Sequence, residues 1–367
     1  MSVNTILLDL SVDQTILQSQ NDKQLFLVTA ETILSKHLPN LTRLIATDSG
    51  EWVLRFYQIN ENATVAIRIY RNGFVTINIE FYTPEDQEPI ISFNKCKEIE
   101  RELRIQVAAS QRSQTVPPLK RCHFDRYFPT SDERLIEYDI DKVVFEEQSP
   151  FQKVQIVHSQ TLGNMLVLDD LQNIAEADLI YTETLMQRGK ENYEDKEVVI
   201  LGGGDGALLY ELLKENPREV IMLEIDEVVM KACAKYMRSI CSSVLDDYNG
   251  PNYKIVVGDC MKMLDQYIEE GRKFDYVFGD LTDVPISEDS SSELWSFIGV
   301  ILEKSFKVLK PGGKFMTHII GSVMKDTIKQ YQEALDKLQP PVEYTMSSAF
   351  VPSFLESWEF CQVSLKQ

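Results

Sequence analysis

From residue 197 onward the chain repeats one pattern: a short apolar run, a turn rich in glycine or acid, then a stretch of helical periodicity. The runs are "EVVILGGGDG" (197–206), "EVIMLEIDE" (219–227), "KIVVGDC" (254–260), "FDYVFGDLTD" (274–283) and "GGKFMTHII" (312–320). Strands that are apolar throughout are covered on both faces, and strands alternating with helices pair in parallel. This half of the chain is therefore predicted to be α/β, with a doubly wound, mostly parallel sheet. Ligands of such sheets lie beyond the carboxyl ends of the strands, so the residues after each run are candidates for binding.

A chain of 367 residues has room for further domains. Within residues 5–82 lie a helix candidate, "DKQLFLVTAETILSKH", and the alternating runs "EWVLRFYQI", "ATVAIRIY" and "FVTINIEFY", the last after the turn "RNG". These predict a small α+β domain with an antiparallel meander. A charged helix, "NKCKEIERELRIQVAAS", closes it, and "QRSQTVPPLKR" reads as a linker because two prolines forbid a helix. The expected division is an N-terminal domain over 1–115, a small central β domain over 116–178, and the α/β domain over 179–367. The central domain rests on "RLIEYDI", "KVVFEEQ", "QKVQIVHS" and "GNMLVLDD", with a helix starting near Asp178.

Lys+Arg 37 against Asp+Glu 57 gives a formal net charge of -20, which opposes nucleic-acid backbones and anionic membranes and favours cationic ligands. The six cysteines (96, 122, 233, 241, 260, 361) form no CxxC pair and the four histidines (37, 123, 158, 318) lie far apart, so no metal spacing appears. The start, "MSVNTILLDLSVDQT", lacks the basic and apolar regions of a signal peptide, and no apolar stretch is long enough to span a bilayer. The expectation is a soluble cytoplasmic protein with reduced thiols.

Four of the strand ends are acidic. Gly202, Gly204 and Asp205 follow the first strand, Glu224 ends the second, Asp259 the third and Asp280 the fourth. Glycines let a backbone approach a ligand closely, and an acid about 20 residues further on can take ribose hydroxyls. Up to this point NAD and an adenosyl-sulfonium nucleotide fit equally. A single strand-end acid is as well explained as a helix N-cap, but four in register are not. An acid-lined site suits a sulfonium or an ammonium and disfavours a pyrophosphate, so Asp205 in a loop of phosphate-binding appearance argues for a ligand without phosphate there. Asp280 is placed to take a proton from an attacking amine, and Asp205 and Asp280 to share one ammonium. Glu356, between Phe354 and Trp358, adds an acid to an aromatic segment that fits a flexible polycation or plain strand core.

Together "LGGGDG", "LEID", "YDIDKVVFEEQSPFQ", "AEADLIYT" and "GDLTDVPI" resemble the aminopropyltransferases, the last motif the spermine-forming members in particular. Spermidine-forming members typically carry Ser-Ser-Asp-Pro where this chain has Asp280-Leu281-Thr282-Asp283. The resemblance is strong over roughly residues 120–367. It implies a small β domain ahead of a Rossmann-like domain, dimerisation through the N-terminal domain, and transfer of the aminopropyl group of decarboxylated S-adenosylmethionine to spermidine, giving spermine and methylthioadenosine. Decarboxylated S-adenosylmethionine is then a co-substrate, with no cofactor or metal required. Position by position, the resemblance puts Gln152, Glu224, Asp226 and Asp259 on the nucleotide, Asp205 beside the aminopropyl group, Tyr181 and Glu356 on the amine, and Asp280 as general base. Phe354 and Ser357 stand where the family usually has Tyr and Leu. The rival expectations are a spermidine or thermospermine synthase, an S-adenosylmethionine methyltransferase, and a catalytically silent polyamine-binding protein.

Overall fold

A computed structural model describes residues 2–15, 19–50, 52–84, 87–107, 112–281 and 293–366, with the side chains of 293–297 left aside. The chain divides into two compact units, residues 1–126 and 127–367.

In the first unit the strands β1 (Ser2–Ser11), β2 (Thr42–Asp48), β3 (Trp52–Asn60), β4 (Ala63–Tyr70), β5 (Phe74–Thr83) and β6 (Arg112–Arg121) form one antiparallel sheet in the order β2-β3-β4-β5-β1-β6. Helices α1 (Gln20–His37) and α2 (Phe93–Gln106) start at Ser19 and Ser92, whose hydroxyls accept from Asp22 N and Lys95 N. The helices cover one face. Val65, Ile67, Ile69, Val75, Ile77 and Ile79 alternate inward and share a buried cluster with Phe26, Leu34, Ile99 and Leu103.

The expected linker is not a linker. Residues 112–121 form the edge strand β6, paired with β1, and Pro117 and Pro118 fall at the register shift between Thr5 and Leu7. An edge strand tolerates prolines where no ladder donor is needed, so they exclude a helix there but not a strand. β1 itself, and β2 with it, went unread: "SVNTILLDLS" carries its alternation at the very start of the chain, and β2 is exposed along its whole length.

The second unit opens with a hairpin, β7 (Tyr127–Pro129) and β8 (Leu135–Glu137), and an antiparallel sheet in the order β12-β11-β10-β9. That sheet is built from β9 (Ile140–Gln148), β10 (Lys153–Ser159), β11 (Gly163–Leu168) and β12 (Leu171–Ala175). Helix α3 (Leu179–Leu185) then leads into the α/β sheet, whose strands and helices alternate as β13 (Glu197–Gly202), α4 (Ala207–Leu213), β14 (Glu219–Glu224), α5 (Glu227–Tyr236), α6 (Arg238–Cys241), β15 (Tyr253–Val257), α7 (Cys260–Glu269) and β16 (Phe274–Asp280). They continue as α8 (Glu293–Lys307), β17 (Leu309–Gly321), α9 (Lys325–Asp336), β18 (Val342–Val351) and β19 (Glu356–Leu365). The order is β15-β14-β13-β16-β17-β19-β18, parallel through β17, with β19 antiparallel to both β17 and β18. The order reverses at β13, between β14 and β16. A crevice for a ligand opens at such a reversal.

Candidate active site

Beyond the ends of β13, β14 and β16 lies a cavity of about 490 Å³. Gly202 pairs with Asp280 in the ladder, and at φ +84° a Cβ on it would stand 2.2 Å from Asp280 O. A Cβ on Gly204 would lie 2.8 Å from Glu224 Oε2. Each glycine thus clears the space that one strand-end acid needs, a more specific requirement than loop flexibility. Asp205 Oδ1 accepts from Ala207 N at 2.8 Å, inside the first turn of α4. The amide that a phosphate would use is already satisfied by a carboxylate belonging to the chain.

Three of the acids that face the cavity are disfavoured in their charged form by burial. Burial, and then the charge of Asp280, push the Asp205 carboxyl up to about 7. Burial likewise raises Asp280, opposed by the charge of His318 and by Tyr181, whose hydroxyl donates to Asp280 Oδ1 at 3.2 Å. Glu224 is also raised to about 7 by burial, against the backbone amides that bond it, among them Asp226 N at 2.7 Å. No lysine or arginine is among the described residues that line the cavity. The electrostatic deficit is one that a cationic ligand removes.

Of the residues expected from sequence, Gln152, Tyr181, Gly202, Gly204, Asp205, Glu224, Asp259 and Asp280 all line this cavity. Asp226 does not: it is fully buried, its Oδ2 accepts from Ser149 Oγ at 2.6 Å and Gln152 Nε2 at 3.0 Å, and its Oδ1 caps α5 through Val228 N. Its geometry is that of a residue that orients Gln152. Asp259 combines both expected roles, capping α7 through Met261 N while facing the cavity. Glu356 is buried away from the lining, its carboxylate held by Ser131, whereas Phe354 faces the cavity and packs on Trp358 at 4.6 Å between centroids. Thr282, Asp283 and Pro285 lie outside the described residues.

Sequence reading missed Gln172, Asn173 and His318, which also line the cavity. β12, which carries the first two, follows a two-residue turn in which Asp169 and Asp170 both take positive φ. Aspartate tolerates that conformation, and "DD" was the available signal for a hairpin. Among the described residues no three His, Cys, Asp or Glu side chains stand together as a metal site, no helix is long and apolar enough to cross a membrane, and the six cysteines are free.

Residues 178–367, more than half of the chain, match the family model described as "Spermine/spermidine synthase domain". The chain belongs to that family. Residues 125–176 match a second model, "Spermidine synthase tetramerisation domain". The polyamine aminopropyltransferase 1 of Hyperthermus butylicus is 30% identical over 226 residues, covering 59% of this chain and 73% of its own. The polyamine aminopropyltransferase of Aeropyrum pernix is 30% identical over 230 residues, 61% of this chain and 70% of its own. A crystal structure of spermidine synthase from Thermotoga maritima superposes with a TM-score of 0.53 at 22% identity, covering 67% of this chain and 80% of that one. One of a spermidine synthase with a transition-state analogue gives 0.55 at 22% identity, covering 67% and 82%. Both solved structures share the fold. The family makes this protein an aminopropyltransferase.

Proposed function

We propose that the protein transfers the aminopropyl group of decarboxylated S-adenosylmethionine to spermidine, yielding spermine and methylthioadenosine. The observation that carries this reading is the pair Asp205 and Asp280, two acids raised by burial that open on a cavity whose described lining holds no lysine or arginine. Glu224 takes the ribose hydroxyls, Gln152 and Asp259 the adenine side, Asp205 the ammonium of the aminopropyl group, and Tyr181 the incoming amine. Asp280 accepts the proton as the amine nitrogen forms its bond to the methylene carbon. The carbon–sulfur bond breaks at the same time and its electron pair returns to sulfur, giving a neutral thioether. Positioning amine and methylene in contact supplies on the order of 7 to 11 kcal/mol in favourable cases, and the base roughly 10²- to 10⁴-fold. The reading includes a homodimer formed through the N-terminal domain, whose strand β2 is exposed along its length at the edge of its sheet.

One observation favours a second reading, putrescine as acceptor. Glu356, the acid that a third ammonium would need, is engaged by Ser131 instead of facing the cavity. Chromatography of the amines formed from either acceptor decides between them. Spermine from spermidine, with a kcat/KM for putrescine at least roughly tenfold lower, is the expected result, the size of one lost charge-assisted contact. Comparable use of putrescine makes the protein a spermidine-forming enzyme.

A further inference from the structure

Glu356 opens β19, and the two-residue period of a strand puts it on one face with Trp358 and Phe360. This face is aromatic back to the reacting end: Phe354 meets Trp358, and Tyr181, whose hydroxyl donates to Asp280, meets Phe354 at 6.1 Å and Phe360 at 5.3 Å. At its far end the Glu356 side chain is only 4% exposed. A carboxylate so buried requires both donors and a counter-charge.

The donors come from the β7–β8 hairpin. Ser131 N donates to Oε2 at 2.9 Å, and Ser131 Oγ lies 2.9 Å from Oε1 and 3.0 Å from Oε2. Gly321 leaves room for this contact, since a Cβ there would stand 2.1 Å from Ser131 Oγ. The turn is braced by Thr130, which accepts from Arg134 N, donates through its hydroxyl to Asp132, and donates its own N–H to Arg134 O.

The counter-charge is held more loosely. Arg134 Nη2 stands 3.7 Å from Glu356 Oε1, beyond hydrogen-bond reach, and the Arg134 side chain is 61% exposed. Its Nε donates to both oxygens of Asp132, at 2.7 and 2.9 Å. A carboxylate offers about four acceptor positions and Ser131 has two hydrogens to give it, one on N and one on Oγ, so acceptor capacity remains toward Arg134. A solvated guanidinium with its own carboxylate loses little by withdrawing from Glu356.

Resting on the spermidine reading above, we propose that Arg134 is a specificity-determining stand-in for the distal ammonium of the acceptor. Without amine it neutralises Glu356 from its seat on Asp132. Glu356 itself does not line the cavity, but Phe354 two residues before it does, and when the acceptor extends past Phe354 its distal ammonium takes the place of Arg134, which stays with Asp132. Arg134 therefore competes with the amine, and Asp132 moderates that competition.

The two neighbouring side chains should then act with opposite sign. Steady-state kinetics with saturating decarboxylated S-adenosylmethionine and varied spermidine test this on the full-length protein. Arg134→Gln should lower the KM for spermidine by roughly threefold, and Asp132→Asn should raise it by a similar factor, the scale of one partly exposed ion pair. In both variants KM should move more than kcat, and Arg134→Lys should track the wild type. A hairpin that only maintains the fold would move both variants the same way. That result, an unchanged KM, or a raised KM in Arg134→Gln overturns the proposal while leaving the spermidine reading intact. Wild-type protein that makes no spermine from spermidine overturns both.

Discussion

Asp280→Asn is expected to lower kcat by roughly 10²- to 10⁴-fold, the range of a positioned general base, while methylthioadenosine still binds within a few-fold of its wild-type affinity. Asparagine keeps the size of the side chain and an oxygen for the Tyr181 hydroxyl, which stands 3.2 Å from Asp280 Oδ1. It cannot take a proton. The proposed nucleotide contacts lie at other strand ends, Glu224 on β14 and Asp259 after β15, and should survive the substitution. Because the charge of Asp280 helps to raise Asp205, the Asp205 carboxyl should also fall from about 7 in this variant. Single-turnover kinetics beside calorimetry of methylthioadenosine separates the two effects. Near-normal turnover would remove Asp280 from the chemistry.

Asp205→Asn should make the ligand-free protein more stable at neutral pH and inactive at the same time. The Asp205 carboxyl sits near 7 in the folded chain, against about 3.9 in an unfolded one, so the folded state holds its proton more tightly. With a raised acid, stability is lost as pH rises through the window between these two values, and the full cost is present above it. Asparagine does not titrate and still offers an oxygen to Ala207 N. The variant should therefore match the wild type below about pH 4 and exceed it by about 1 to 3 kcal/mol at pH 8, a figure reduced because the side chain opens on cavity water. Urea midpoints at pH 4, 6 and 8 check this. A difference that does not change with pH would mean that Asp205 is not strained in the folded protein.

The α/β half of the chain was legible because its signals are local. Apolar runs bounded by glycine and acid identify parallel strands, and the switch point follows from their order, so Asp205, Glu224, Asp259 and Asp280 could be named from spacing. What escaped was non-local or ambiguous in sign. Glu356 and Ser131 are 225 positions apart, and nothing in either segment names the other. Asp226 and Asp259 look alike as strand-end acids, yet one is spent on Gln152 and a helix cap while the other also reaches the cavity. Prolines at 117 and 118 carried a true prohibition on helix, but whether the segment is a linker or an edge strand depends on β1, more than a hundred residues earlier.

The most direct test of the site is a crystal structure with methylthioadenosine and spermidine bound together. The account predicts ribose hydroxyls on Glu224, the attacking nitrogen within hydrogen-bond reach of Asp280, and the distal ammonium on Glu356 with Arg134 withdrawn to Asp132. A ribose away from Glu224, or an amine bound outside the cavity between Asp205 and Asp280, would contradict it.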